Sequence, residues 1–157
     1  MNHFINNLSI ASIEFDQEDH GSTGEIYFNG GEYYCGEIKN QLPCGEGQFH
    51  LRDGSFFEGN FDENTFTEGS FKHFSGITYS GTFNRDRFYK GYLNFINGDS
   101  LSGEWGNLKG RWVLKTGVLK NEDKKVVFDF NKQSGYYRGK THDIYADSEE
   151  HGFYIKI

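Results

Sequence analysis

Proline and cysteine are nearly absent from this chain, which has 1 proline and 2 cysteines among 157 residues. Two cysteines cannot build the disulfide framework of a small secreted domain, and Cys35 and Cys44 lack the paired spacing of a metal site. So little proline also argues against a disordered linker. The composition indicates a folded chain of one domain's length in a reducing compartment.

Long apolar runs and clusters of basic residues are also missing. No stretch approaches the roughly 18 consecutive apolar residues of a membrane-spanning helix, and residues 1–8 lack the features of a secretory signal. The net charge is −7, from 23 acidic and 16 basic residues. Affinity for nucleic acids and anionic membranes comes mainly from Lys and Arg. We therefore expect a cytoplasmic protein without nucleic-acid partners, and direct membrane binding is disfavoured.

Glycine is abundant, with 21 residues, and its placement is periodic. Four turn glycines stand 23, 22 and 22 residues apart. Each is followed by a large apolar residue, a second glycine and a further large apolar residue, and each is preceded by another glycine. A period of this length indicates stacked supersecondary units that bury their apolar faces against one another. The turn glycines are Gly31, Gly54, Gly76 and Gly98, and the preceding glycines are Gly24, Gly47, Gly69 and Gly91.

Within each unit the apolar residues alternate with polar ones, and this period of two predicts β-strands. The pairs Asp53-Gly54 and Asn97-Gly98 lie between two such runs, where a hairpin turn needs residues that tolerate positive φ. Each unit is therefore predicted to be one β-hairpin. The alternation buries Phe61 and Phe83 on the glycine-bearing face and exposes their neighbours on the other.

The pattern resembles the MORN (membrane occupation and recognition nexus) repeat, whose consensus has Gly-x-Gly before an Asp-Gly turn and Tyr-x-Gly-x-Trp after it. The segment from Gly45 through Asp53-Gly54 to Phe61 is the closest match. The resemblance covers about residues 22–112. It implies an all-β fold and a role in cytoskeletal, ciliary or junctional scaffolds that hold other proteins.

The predicted fold is a single domain over residues 1–157, formed by one elongated, twisted antiparallel sheet of stacked hairpins. Residues 1–21 form an N-terminal cap whose strand covers Ile10–Phe15. Residues 22–112 form four hairpin repeats, and residues 113–157 form a degenerate hairpin and a C-terminal cap. That hairpin is expected to pair residues 126–130 with 135–139, and a closing strand is expected over residues 153–157.

Catalytic and metal-binding patterns are not found in the sequence. The histidines, His50 and His73 among them, share no fixed offset with Cys, Asp or Glu, so a surface or packing role is expected. Gly30-Gly31 and Gly45/Gly47 do not open a helix, as a phosphate-binding loop requires. We predict neither enzymatic activity nor a metal or other cofactor.

The face opposite the glycines carries aromatic rings and carboxylates. It is either an ordinary solvated face with scattered rings or a surface for a partner helix or extended segment that has basic residues. Rings anchor protein interfaces, and carboxylates orient them. The candidate protein-binding residues are Tyr27, Tyr33, Glu37, Phe56, Glu58, Phe74, Tyr92 and Glu104.

Three functions fit these features to different degrees, and the least favoured is an enzyme subunit, because the catalytic domains that the MORN resemblance implies need far more chain than remains outside the repeats. A non-catalytic protein-binding scaffold or adaptor is favoured, since a repeat array offers extended surface. The alternative is an acidic inhibitor or immunity-type protein that blocks a basic surface of an enzyme or of a nucleic-acid-binding protein. Raised salt should weaken that second kind of binding sharply.

Overall fold

A computed structural model describes residues 7–17, 22–108, 111–129, 136–138, 143–147 and 152–156. These residues are nearly all β, and their strands pair antiparallel. The predicted all-β architecture of antiparallel hairpins is confirmed. The chain divides into two compact units, residues 1–75 with 80–87 and residues 76–79 with 88–157.

In the first unit each strand pairs with the next one along the chain, from β1 through β6. Strand β1 pairs with β2 as the predicted N-terminal cap strand. Strand β7 contributes residues to both units. The strands are β1 Ile10–Phe15, β2 Thr23–Phe28, β3 Tyr33–Lys39, β4 Leu42–His50, β5 Phe56–Asp62, β6 Thr65–Lys72 and β7 Thr78–Asn84.

In the second unit β8 pairs with β9 and β9 with β10. Strand β10 also pairs with β11 and, through Leu114 and Phe153, with β14. Strands β14, β13 and β12 pair in that order. The strands are β8 Arg87–Asn94, β9 Ser100–Leu108, β10 Arg111–Lys120, β11 Val126–Asp129, β12 Tyr136–Arg138, β13 Asp143–Asp147 and β14 Gly152–Lys156.

The pairing after β10 corrects the expected C-terminal hairpin. Strand β11 pairs with β10 and not with β12, because the turn over residues 121–125 folds it straight back. Strand β12 pairs with β13 instead. Residues Gly152–Lys156 form a strand, β14, where the closing strand was expected, but it pairs with both β10 and β13 and so does not close the sheet. The ends of the two segments proposed to pair, at residues 130, 135 and 139, lie outside the described residues.

The repeat glycines face one another across the strands. In the first unit Gly24, Gly36, Gly47, Gly59 and Gly69 are successive cross-strand partners. We call these five residues the glycine column. A Cβ added at Gly47 would lie 2.2 Å from the Tyr34 hydroxyl, and one at Gly59 would lie 2.2 Å from the Glu68 carbonyl oxygen. Glycine is required here because a side chain would collide with a ring or with backbone.

Large apolar side chains surround this column on the same face. Phe61 and Phe83 are 4% and 8% exposed, whereas Asn60 and Thr82 are exposed, so the predicted alternation is confirmed. The first unit buries Ile26, Phe28, Tyr34, Ile38, Phe49, Phe57, Phe61, Phe66 and Phe83. The second unit buries Ile77, Phe88, Leu93, Phe95, Leu101, Trp105, Leu114 and Leu119.

Two kinds of turn join the strands. The segments 28–32, 51–55, 95–99 and 121–125 are five-residue turns with the same pair of backbone hydrogen bonds. The connections Asn40-Gln41, Glu63-Asn64 and Arg85-Asp86 are two-residue turns in which both residues have positive φ. Positive φ at both positions is what a type I′ hairpin turn requires.

Lys124 occupies the turn-glycine position of the last five-residue turn. Its amide donates to the Asn121 carbonyl at 2.9 Å, as the Gly54 and Gly98 amides donate to theirs. Its φ is +63°, where a residue with a Cβ costs about 1–2 kcal/mol. Lys124 is 7 residues after Gly117, so a fifth unit keeps the repeat geometry without the turn glycine.

We expect Lys124→Gly to stabilise the protein by about 0.5–1 kcal/mol. The strain energy removed, about 1–2 kcal/mol, exceeds the cost of ordering the more flexible glycine, which is about 0.5–1 kcal/mol. Urea unfolding curves measure the change. Lys125→Gly removes the same charge and adds the same flexibility at a residue without positive φ, so it should destabilise. Equal effects of the two variants would contradict the assignment of strain to Lys124.

Candidate functional site

A row of stacked rings crosses four neighbouring strands of the first unit, on the face opposite the glycine column. Tyr27, Tyr33, His50 and Phe56 are successive cross-strand partners on β2, β3, β4 and β5. Their centroids are 6.3, 4.4 and 5.1 Å apart, and each neighbouring pair is stacked. We call these four residues the aromatic row. Lys72 on β6 continues it, with its Nζ 4.9 Å from the Phe56 centroid.

The aromatic row is open to solvent along its length. Tyr33 is 37% exposed, and Tyr27, His50 and Phe56 are partly exposed. Strand alternation explains this, because the residues beside them in the chain, such as Tyr34, Phe49 and Phe57, point to the buried face. Stacked rings cover each other's faces and present their edges outward. The result is a ridged, apolar surface.

A polar network lies beside the row on the same face, two residues away along each strand. Gln48 Nε2 donates to Glu58 Oε1 at 3.0 Å, and Lys72 Nζ pairs with Glu58 Oε2 at 3.0 Å. The Gln48 amide is then oriented with Oε1 toward His50 Nε2, 3.1 Å away. His50 Nε2 must carry a proton to donate this bond. The network fixes the rings of His50 and Phe56 from the side.

The protonation equilibria of the site follow from these contacts. Partial burial lowers the pKa of His50, and the Glu58 carboxylate opposes that effect. The hydrogen bond and charge of Lys72 lower the pKa of Glu58. At the other end of the row, the hydrogen bond from the Tyr27 hydroxyl to Glu25 raises the pKa of Tyr27 to about 12. At neutral pH the row contains a neutral imidazole, and the Glu58 carboxylate beside it is ionised.

Acidification should destabilise the first unit through His50. Because the folded state lowers the His50 pKa, the neutral form contributes stability above about pH 6.5, and this is lost as pH falls through the folded-state pKa. His50→Phe keeps a stacked ring without titration. The urea midpoint should therefore fall less in His50→Phe than in the unchanged protein between pH 7 and pH 5. Parallel falls in the two proteins would contradict this assignment.

Among the predicted site residues, Tyr27, Tyr33 and Phe56 come together in the aromatic row, and Glu58 lies beside them. The other two first-unit residues have separate contacts. Glu37 Oε1 accepts a hydrogen bond from the Glu46 amide at 3.0 Å, at an irregularity in the β3–β4 pairing. Phe74 is 64% exposed, its ring lies 4.2 Å from that of His73 at a tilt of 38°, and its amide donates to the Ser55 hydroxyl beside the turn.

Tyr92 and Glu104 belong to the second unit. Tyr92 is 59% exposed and directly follows Gly91, so its repeat position is that of Gln48 and not that of Tyr33 or Phe56. Glu104 pairs with Lys90 at 2.7 Å. The register therefore does not place Tyr92 at the repeat position of Tyr33 and Phe56, although all three are predicted binding residues of one face.

Sequence reasoning missed His50 and Lys72 as members of this surface. His50 was assigned a surface or packing role, and it packs between Tyr33 and Phe56. The sequence did contain a signal for His50. His50 and Phe56 lie immediately before and after the turn over residues 51–55, so a hairpin pairs them with each other. Lys72 stands at the corresponding end of β6.

Charge is divided unequally between the two units. The first unit has 14 acidic and 5 basic residues, a net charge of −9, and the second has 9 acidic and 11 basic residues, a net charge of +2. In the first unit Lys72 is bound to Glu58, and Arg52 pairs with the buried Glu32 at 3.1 Å. The unit with the aromatic row is therefore strongly acidic, which favours basic partners.

The described part of the chain has no cluster of three or more His, Cys, Asp or Glu residues suited to a metal ion. Burial raises the pKa of both the Cys35 and Cys44 thiols, the opposite of an activated nucleophile. Cys44 lines a cavity of about 260 Å³ with Lys39, Pro43 and Phe61 among others.

Within the described residues, no helix has the length and apolar character needed to cross a membrane. In comparisons with known proteins, no protein-family model matches the chain, and no curated protein matches it significantly. The resemblance to MORN repeats therefore stays a prediction drawn from the sequence.

Proposed function

We propose that this protein is a non-catalytic scaffold or adaptor that docks a helix or extended segment of a partner protein on the aromatic row. The observation that carries the proposal is the stack of four partly exposed rings in direct cross-strand register. Aromatic anchors in a polar surround are typical of protein interfaces. A cytoplasmic location, with attachment to the cytoskeleton or cilium, belongs to the same proposal.

Two features support binding over a merely solvated face. The rings are fixed in place by mutual stacking and by the Gln48–Glu58–Lys72 network, so little side-chain entropy is lost on docking. The net charge of −9 on this unit supplies attraction for basic side chains around an apolar centre. Exposed rings with these properties form an anchor that is already ordered before binding.

The test is capture of a partner from an extract of the source organism by the immobilised full-length chain. Tyr33→Ser combined with Phe56→Ser should abolish capture, while the urea midpoint changes little because neither side chain is in the buried face. Tyr89→Ser is the matched control, since Tyr89 is a 42% exposed ring outside the row. Tyr92→Ser separately reports whether the second unit takes part. Capture that survives the double substitution would overturn the proposal.

The acidic-inhibitor function has one observation in its favour, the concentration of negative charge in the first unit. Binding would then depend on charge more than on the rings. Raising salt from 50 to 500 mM, on the order of a threefold shorter screening length, should reduce such capture sharply. Salt-sensitive capture that persists in the Tyr33→Ser, Phe56→Ser variant would favour the inhibitor function over the scaffold.

A further inference from the structure

We infer that the docked segment is an amphipathic α-helix that lies along the aromatic row, with its N-terminal end over Tyr27 and its C-terminal end over Lys72. This inference rests on the proposed function and names the occupant of the same surface. Two independent features of the site carry it. One is the spacing of the rings, and the other is the distribution of charge from one end of the row to the other.

The ring spacing matches an α-helix better than a strand. Successive centroids along the row are 6.3, 4.4 and 5.1 Å apart, and the row runs across the strands. A helix repeats one face every turn, about 5.4 Å along its axis. An extended strand repeats one face every two residues, about 6.6–6.8 Å. A helix of about three turns, roughly 11 residues, can therefore place one apolar side chain per ring over the whole row.

The charge distribution sets the direction of the helix. At the Tyr27 end, Glu14 on β1 lies directly opposite Glu25 on β2. The first basic residue of the chain is Lys39, so no Lys or Arg of residues 1–38 neutralises this pair. At the other end, Lys72 lies over the Phe56 ring and compensates Glu58. The row is thus more negative at the Tyr27 end.

A helix carries partial positive charge at its N-terminus and partial negative charge at its C-terminus. The N-terminus is therefore attracted to the Glu14 and Glu25 end, and the C-terminus to the Lys72 end. Like charges directly opposite each other destabilise a strand pair, so the docked helix would also relieve the repulsion between the two carboxylates. A basic residue just before the helix would add to the attraction.

The experiment uses three synthetic peptides and the full-length chain. The first is a 14-residue, Ala- and Gln-based helix with Leu at positions 2, 6, 9 and 13, preceded by two Lys, a design that follows the helical spacing of about 3.6 residues per turn. The second carries the two Lys after its C-terminus. The third is the first peptide with a central proline, which breaks the helix. Fluorescence anisotropy gives each dissociation constant, and a spin label on the N-terminus of the first peptide gives its direction.

We expect the first peptide to bind at least tenfold more tightly than the proline peptide and severalfold more tightly than the second. The spin label should broaden the amide signals of Tyr27 and Tyr33 and leave that of Lys72 sharp. Glu14→Gln with Glu25→Gln should remove the preference for the first peptide over the second. Glu63→Gln, an exposed carboxylate in the turn after β5, is the matched control and should not change it.

Three results would overturn this inference. Equal binding of the proline peptide would show that the row takes an extended segment, and broadening at Lys72 would show the reverse direction. Absence of binding by all three peptides, with capture from the extract still dependent on Tyr33 and Phe56, would exclude the helix and leave the proposed function standing. Loss of that dependence would instead mean that the proposed function itself has failed.

Discussion

Phe66→Ala should lower the free energy of unfolding by about 3–5 kcal/mol, the usual range for an aromatic ring removed from a core. Phe66 is fully buried in the first unit. Its centroid lies 5.0 Å from that of Phe57, 5.0 Å from that of Phe61 and 4.7 Å from that of Phe83. Removal of this ring takes a contact from three others at once and leaves a cavity between them.

The measurement is the urea unfolding curve, with Phe74→Ala as the matched control. Phe74 is 64% exposed, and its ring is tilted against that of His73 at the surface, so its removal should change the free energy of unfolding by less than about 0.5 kcal/mol. Similar losses in the two variants would contradict the assignment of Phe66 to the centre of the core. If Phe66→Ala showed no cooperative unfolding transition in urea, the first unit of this variant would no longer fold.

Much of the fold could be predicted because the repeat glycines report the strand register directly. Each glycine of the column faces the next one, and with this register fixed, strand alternation assigns every neighbouring side chain to a face. Phe61 and Asn60 were placed correctly on this basis. Phe66 was missed, because it lies outside the glycine-centred pattern and beyond a register shift between Asn60 and Phe61 in the β5–β6 pairing.

The turns and the C-terminal pairing could not be predicted from the same signal. Glu63-Asn64 and Arg85-Asp86 form turns with two positive φ values, although Asn-Gly or Asp-Gly is the usual signature of such turns. The fifth turn likewise lacks its usual signature, because Lys124 occupies the position of the turn glycine and has the positive φ of a glycine. In these places the neighbouring strand pairs impose the backbone conformation, and the local sequence does not reveal it.

The candidate site shows the same division between local and cross-strand information. Alternation placed Tyr27, Tyr33 and Phe56 on the exposed face. Which rings meet depends on the cross-strand partner, and that placed His50 between two of them. Glu37 lies at an irregularity in the β3–β4 pairing and accepts a hydrogen bond from a backbone amide, which strand alternation alone does not reveal.

Substitution of a residue in the glycine column should destabilise the protein about as much as the loss of a core ring. Two physical causes contribute, backbone strain and steric overlap, and substitutions at Gly59, Gly54 and Gly47 separate them. Gly59→Ala places a Cβ 2.2 Å from the Glu68 carbonyl oxygen and requires a φ of +145°. Backbone strain of about 1–3 kcal/mol and overpacking of about 1–3 kcal/mol then act together. We expect Gly59→Ala to destabilise the protein by roughly 2–6 kcal/mol, measured by urea unfolding.

The two other glycines each isolate one cause. Gly54→Ala keeps a φ of +89° with no heavy atom within 4 Å of the new Cβ, so it should lose only the strain energy, about 1–2 kcal/mol. Gly47→Ala has no such φ, but its Cβ would lie 2.2 Å from the Tyr34 hydroxyl. Because the hydroxyl and two ring carbons of Tyr34 all lie within 2.5 Å of that Cβ, the shorter side chain of Tyr34→Leu should partly rescue Gly47→Ala and should not rescue Gly59→Ala. If Gly54→Ala and Gly59→Ala were equally destabilising, the close approach of β5 and β6 at the column would not be what requires glycine there, and backbone conformation alone would explain the repeat.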